Sequence, residues 1–208
     1  MIIKNILKKI KIKIIKQKKV KDNCNSTHKL VPNYKDTSWV EIRVTDDQLR
    51  IEVVLKEFDL KDKKILHVGI GSSSLASQFN YLAERIDGIT VMPEEKKYAE
   101  SLNLPKYNTF IINKYSNELN SLNQSYDFII DNNLSSFACC KHHYQLMLNN
   151  YIDILNQGGM ILTDEVGMKY YEDYAFGIEF EDLQKLEKEL PVKVLKINQS
   201  VFAIQKLD

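Results

Sequence analysis

The 208-residue chain lacks the features that would place it outside the reducing interior of a cell or inside a membrane. It has only three cysteines, an odd number, and Cys139 and Cys140 are adjacent. A structural disulfide framework is therefore not expected, a cytoplasmic setting is, and the cysteines read as packing residues. No apolar run is long enough to cross a bilayer and no small-residue cleavage site follows the N-terminal stretch, so neither a transmembrane helix nor a cleaved signal peptide is expected. A large charge imbalance is missing too: the formal net charge is +1. With 27% charged and 44% hydrophobic residues, the composition is that of one globular domain with an appendage, large enough to bury a core.

The near-neutral total hides an asymmetry. Residues 1–23 carry nine Lys against Asp22, a sum of +8, which leaves −7 for the rest of the chain. A mildly acidic body argues against a nucleic-acid footprint, which needs a basic face, so no DNA partner is expected and a small-molecule substrate is. Within residues 1–23, Ile3, Ile6, Leu7, Ile10 and Ile14 fall on one helical stripe with lysines around it. This basic amphipathic helix suits weak contact of residues 1–20 with an anionic membrane surface at the inner face, or docking on the body or on a twin subunit in a homodimer. Residues 24–44 read as a linker, and residues 45–208 as the main domain.

Thr45 with Gln48 reads as a capping box opening a helix from about Asp46 to Phe58. Strands are expected at Lys64 to Val68, Arg85 to Met92, Thr109 to Asn113, Tyr126 to Asp131 and Met160 to Thr163. Between them lie helices from about Ser72 to Glu84, Glu94 to Leu102 and Cys140 to Leu155. Alternating strand and helix predicts a parallel sheet with helices on both faces. The end of the chain breaks the alternation. After a helix from Glu181 to Glu189, the runs Val192 to Ile197 and Val201 to Gln205 are joined by only three residues, too few for a crossover, so they must pair antiparallel.

The densest motif is Ile65-Leu-His-Val-Gly-Ile-Gly-Ser-Ser73, a buried strand that breaks into Gly69 and Gly71 and resumes as a helix. Such a turn brings the backbone close to a ligand. Together with the terminal hairpin, it resembles the first motif of the class I S-adenosylmethionine-dependent methyltransferases over about Asp46 to Asp208. That family implies an α/β fold: a doubly wound, mostly parallel seven-stranded sheet with a C-terminal antiparallel hairpin. Two positions depart from its pattern. His67 stands where an acid is usual, and Ser73 stands in place of the third glycine. Gly88-Ile-Thr-Val-Met-Pro-Glu-Glu95 is similar to the strand-two motif, with Thr90 in the acidic position. Asp127-Phe-Ile-Ile-Asp-Asn-Asn133 resembles the fourth motif, and Gly158 to Glu165 the fifth.

The resemblance implies S-adenosylmethionine as cofactor and S-adenosylhomocysteine as product. It implies cofactor contacts from His67, Gly69, Gly71, Ser73, Thr90, Glu95, Asn113 and Asn132, with Asn113, Lys114 and Tyr115 beside adenine. Asp131 would face the transferred methyl, and His142 or His143 would take a proton from a hydroxyl acceptor. A divalent-metal variant of the chemistry would place Mg²⁺ on Asp131, Asp164 and Glu165. The Asp-Pro-Pro-Tyr type tetrad of amino-group methyltransferases is absent. The expected activity is O-methylation of a small molecule or a surface-glycan precursor in a bacterium. An RNA or lipid methyltransferase guided by the basic helix is the alternative, and so is a non-catalytic binding subunit of the same fold. Tyr170, Tyr171, Tyr174, Phe176 and Phe180 are expected to wall the substrate pocket.

Overall fold

The computed structural model describes residues 44–136, 138, 140–168 and 178–207. The basic helix and most of the linker read from the sequence lie outside these residues, as do Tyr170, Tyr171, Tyr174 and Phe176. Helix α1 (Asp46–Leu55) leads into β1 (Lys64–Val68), α2 (Ser74–Phe79), β2 (Arg85–Thr90), α3 (Pro93–Ser101) and β3 (Tyr107–Ile111). A 3₁₀ turn (Asn117–Leu122) precedes β4 (Tyr126–Ile130), α4 (Lys141–Ile154), β5 (Leu155–Asp164) and the short α5 (Glu165–Met168). The chain closes with α6 (Phe180–Lys185), a 3₁₀ turn (Leu186–Lys188), β6 (Val192–Lys196) and β7 (Val201–Lys206).

The strands form one seven-stranded sheet in the order β3-β2-β1-β4-β5-β7-β6. The first five pair in parallel, and β7 inserts antiparallel between β5 and β6. This is the expected sheet, including the terminal hairpin. Alternate side chains along each strand feed two cores, because successive Cβ atoms point to opposite faces. Leu66, Ile129 and Ile161 pack with Met147 and Tyr151 of α4 on one face. Ile65, Ile130 and Leu162 pack with Ile51 and Leu55 of α1 and Phe79 of α2 on the other.

Some expected boundaries move. Thr45 is the N-cap of α1 but makes no side-chain cap bond, and the Gln48 side chain donates instead to Glu52 Oε1 at 3.2 Å. Helix α2 stops at Phe79 rather than near Glu84, and Leu82 is exposed. There the Asn80 side chain leaves the helix to accept the Lys106 backbone N–H at 2.9 Å. Pro93 opens α3 at its first turn, where a missing N–H costs nothing.

Candidate functional site

The order reverses between β1 and β4: the chain runs outward to β3 and then returns to the other side of β1. In open α/β sheets ligands bind beyond the carboxyl ends of the strands at this point. Gly69 (φ +72°) and Gly71 (φ +47°) form the turn after β1, held by the Gly69 N–H to Ile89 carbonyl bond (2.9 Å) and the Ser73 N–H to Ile70 carbonyl bond (2.7 Å). A Cβ at either glycine would meet no protein atom within 4 Å, so the turn presents bare backbone to open space. That is a cradle which a side chain would fill.

Ser73 also adopts a left-handed backbone (φ +58°) and is fully buried. Its hydroxyl lies 3.1 Å from the Tyr107 hydroxyl, which crosses β2 over Gly88. A Cβ on Gly88 would lie 2.6 Å from that oxygen, so the glycine is what lets the tyrosine reach Ser73. The structure therefore gives the Ser73 hydroxyl a partner within the fold.

At the end of β2 the Thr90 hydroxyl donates to Glu95 Oε2 at 2.5 Å and accepts the Met92 N–H at 3.0 Å. The Glu95 carboxylate also accepts the backbone N–H of Gly71. Burial raises its pKa, and the bonds from Thr90 and Gly71 oppose that rise. Helix α3 thus delivers a carboxylate to the glycine turn, beside the strand end where the sequence has a threonine.

His67 is buried, on the face it shares with Ile65 and opposite Gly88 in the β1–β2 register. Neither ring nitrogen has a hydrogen-bond partner, and desolvation lowers its pKa to about 4. It is a neutral imidazole at pH 7, with two polar atoms to satisfy. Orphaned buried atoms of this kind are uncommon and call for a partner, which a bound water or a ligand would supply.

Asp131 follows β4 and is nearly fully buried, but its carboxylate is engaged. Lys114 Nζ donates to Oδ2 at 2.9 Å and to Oδ1 at 3.1 Å, and the Tyr151 hydroxyl donates to Oδ2 at 2.9 Å. Burial lowers the Lys114 pKa while Asp131 pulls it up. The neighbouring Asn132 donates Nδ2 to Asp47 Oδ2 at 2.7 Å, and Asn113 Oδ1 accepts the Tyr115 N–H at 3.0 Å. Asp164 binds the Arg50 guanidinium through both oxygens at 2.8 Å. Two of the three acids read as Mg²⁺ ligands are thus paired with cations. No cluster of three His, Cys, Asp or Glu side chains suited to a metal occurs among the described residues.

His142 and His143 open α4, with their rings edge to face at 5.4 Å. His142 is exposed. His143 is buried with Nδ1 3.2 Å from Cys140 Sγ, and desolvation, followed by His142, lowers its pKa. Phe180, read as a pocket wall, instead packs against Phe202 of β7 at 4.7 Å.

The structure brings Gly69, Gly71, Thr90 and Glu95 into one cluster and places Asp131 and Asn132 across the switch point from it. Sequence reasoning missed the cations at Lys114 and Arg50 that tie down Asp131 and Asp164. Their partners lie 17 and 114 residues away, so no local pattern signals them.

No protein-family model matches the chain, and no curated protein matches it by sequence. Solved structures do. The N-methyltransferase NodS from Bradyrhizobium japonicum WM9, in complex with S-adenosyl-L-homocysteine, superposes with a TM-score of 0.58 at 12% identity, over 83% of this chain and 100% of that one. An O-methyltransferase family protein from Burkholderia thailandensis gives 0.58 at 12%, over 77% of this chain and 56% of that one. An rRNA methylase from Streptococcus thermophilus gives 0.54 at 12%, over 79% and 99%. These likenesses establish the fold.

Proposed function

From the fold that this chain shares with class I S-adenosylmethionine-dependent methyltransferases, we propose that it binds S-adenosylmethionine and transfers the methyl group to an oxygen of a small molecule or a surface-glycan precursor. The observation that carries the cofactor is the bare glycine turn joined to a half-buried carboxylate: Gly69 and Gly71 with nothing over them, and Glu95 anchored to both Thr90 and Gly71. The orphaned nitrogens of His67 fit the same reading.

The turn at Gly69 to Ser73 would hold the methionine part, Glu95 with Thr90 the ribose hydroxyls, Asn113 the adenine side, and Asn132 the edge towards the acceptor. A carboxylate accepting two hydroxyl protons is a strong, geometry-specific contact. The cofactor supplies a sulfonium methyl, open to in-line displacement. The protein contributes orientation and a dry pocket, and needs a base where the acceptor is a hydroxyl.

Asp131 is not suited to that role, since Lys114 and Tyr151 already occupy its oxygens. His143 is better suited, because burial keeps its imidazole neutral at pH 7. In the tautomer that donates Nδ1–H to Cys140, Nε2 is the basic nitrogen. The relatives in fold act on different acceptors, so the choice of oxygen rests on the absent Asp-Pro-Pro-Tyr type tetrad and on a neutral histidine at the start of α4.

The test is transfer of a tritiated methyl from S-adenosylmethionine to panels of small alcohols, glycan precursors, lipids and RNA. Label on a hydroxyl of a small molecule or sugar is the expected result. Label confined to RNA or lipid would replace this acceptor class, and cofactor binding without transfer to any panel would favour a binding subunit.

A further inference from the structure

The loop after β4 hangs from the loop after β3. Besides its ion pair with Asp131, Lys114 Nζ donates to the backbone carbonyls of Asn133 at 2.7 Å and Leu134 at 3.3 Å. The neighbouring Tyr115 hydroxyl donates to the Ser136 carbonyl at 2.6 Å. Tyr151 of α4 completes the Asp131 carboxylate from below. A buried ammonium needs such a full set of oxygens, because leaving any donor unpaired away from water is costly. Two loops that meet the ligand crevice from different strands are thereby joined through one side chain.

We infer that Lys114 is a positioning residue which couples the adenine side of the cofactor site to the loop at 132–136 that faces the methyl acceptor, so that occupying the first orders the second. This rests on the cofactor reading above. Asn113, whose side chain and carbonyl fold the backbone around Tyr115 and Ser116, sits next to Lys114. A ligand that fixes Asn113 therefore fixes the stem of the lysine, and the lysine's acceptors include two carbonyls of the acceptor loop, Asn133 and Leu134, besides the Asp131 carboxylate that precedes it. Coupling of this kind is a free energy shared between two sites and can be read at either one.

The test is amide hydrogen exchange of the full chain, with and without S-adenosylhomocysteine, in wild type and in the double variant Lys114→Met/Asp131→Asn. The double variant removes both charges together, whereas removing the lysine alone would strand a buried carboxylate and threaten folding. In wild type, ligand is expected to slow exchange at both 69–73 and 132–136. In the double variant, protection at 69–73 persists while that at 132–136 falls by about tenfold or more. Lys114→Arg, which keeps the charge and supplies several N–H donors, should restore part of it. Equal ligand protection of 132–136 in wild type and double variant would overturn the coupling. Should wild type not bind S-adenosylhomocysteine at all, the cofactor reading fails and the latch is still tested. Faster exchange of 132–136 in the ligand-free double variant than in wild type would support it, and unchanged exchange would overturn it.

Discussion

Thr90 donates its hydroxyl to Glu95 Oε2 at 2.5 Å, and that carboxylate also accepts the backbone N–H of Gly71. The acid missing from the end of β2 is thus returned from the first turn of α3, five residues on. The substitution at Thr90 moves the carboxylate rather than removing it.

Glu95→Gln should weaken S-adenosylhomocysteine by about 10- to 100-fold, because a hydrogen bond to a charged group is worth about 1.5–3 kcal/mol. Burial raises the Glu95 pKa above its ordinary 4.5. Ligand affinity in wild type should therefore begin to fall on acidification at a higher pH than an exposed glutamate would give. Calorimetry across pH 4 to 8 should show that acid limb in wild type and not in the variant.

His67 makes a separate, purely thermodynamic prediction. Its folded pKa of about 4 lies below the ordinary 6.5. Between those values the unfolded chain binds the extra proton, so the stability His67 contributes is full above pH 6.5 and is lost as pH falls towards 4. The loss should total about 3 kcal/mol, at ~1.4 kcal/mol per pH unit. Urea unfolding of wild type and His67→Leu from pH 7.5 to 4 should show the stability of wild type minus that of the variant falling by that amount.

The glycines divide into two kinds. Gly71→Ala places its Cβ in open space, so the fold should lose only the left-handed backbone term, about 1–2 kcal/mol, while S-adenosylhomocysteine binding falls by about tenfold or more. Gly167→Ala would overlap the Asn132 carbonyl, and Gly88→Ala would crowd the Tyr107 hydroxyl and, at 2.7 Å, Ile70 Cγ2. Each of these should cost about 2 kcal/mol or more in stability. Denaturant midpoints alongside ligand titrations separate the classes.

Arg50→Met leaves the fully buried Asp164 without its cation, with the Val166 N–H (2.9 Å) still bonded to it. A cost of about 2 kcal/mol is expected, less than for a wholly buried pair because the guanidinium is partly exposed. A shifted urea midpoint with an unchanged m-value would bear this out.

Much of this molecule was legible in the sequence because the deciding signals are local. The strand that ends in Gly69 and Gly71 reads from residue type alone, and the three residues between the last two strands forbid a parallel crossover. What escaped the sequence is non-local. Helix α2 ends at Phe79 because Asn80 turns to serve Lys106, although Leu82 continues the apolar period. The Thr45–Gln48 capping box loses to Glu52, which draws Gln48 into the interface of α1 with Ser74 and Gln78 of α2. Asp131 reads as an acid facing the transferred methyl until Lys114 and Tyr151 are brought to it by the fold. Charged residues at strand ends carry no mark of whether a partner will reach them.

The central claim is that the turn at Gly69 to Ser73, with Glu95, is a cofactor cradle. Isothermal titration of the purified full chain with S-adenosylhomocysteine at pH 7.5 tests it most directly. One site per chain with a dissociation constant of about 1–100 μM is expected, weakened in Glu95→Gln and Gly71→Ala. Absence of binding at high micromolar ligand, or equal binding by all three proteins, would contradict it.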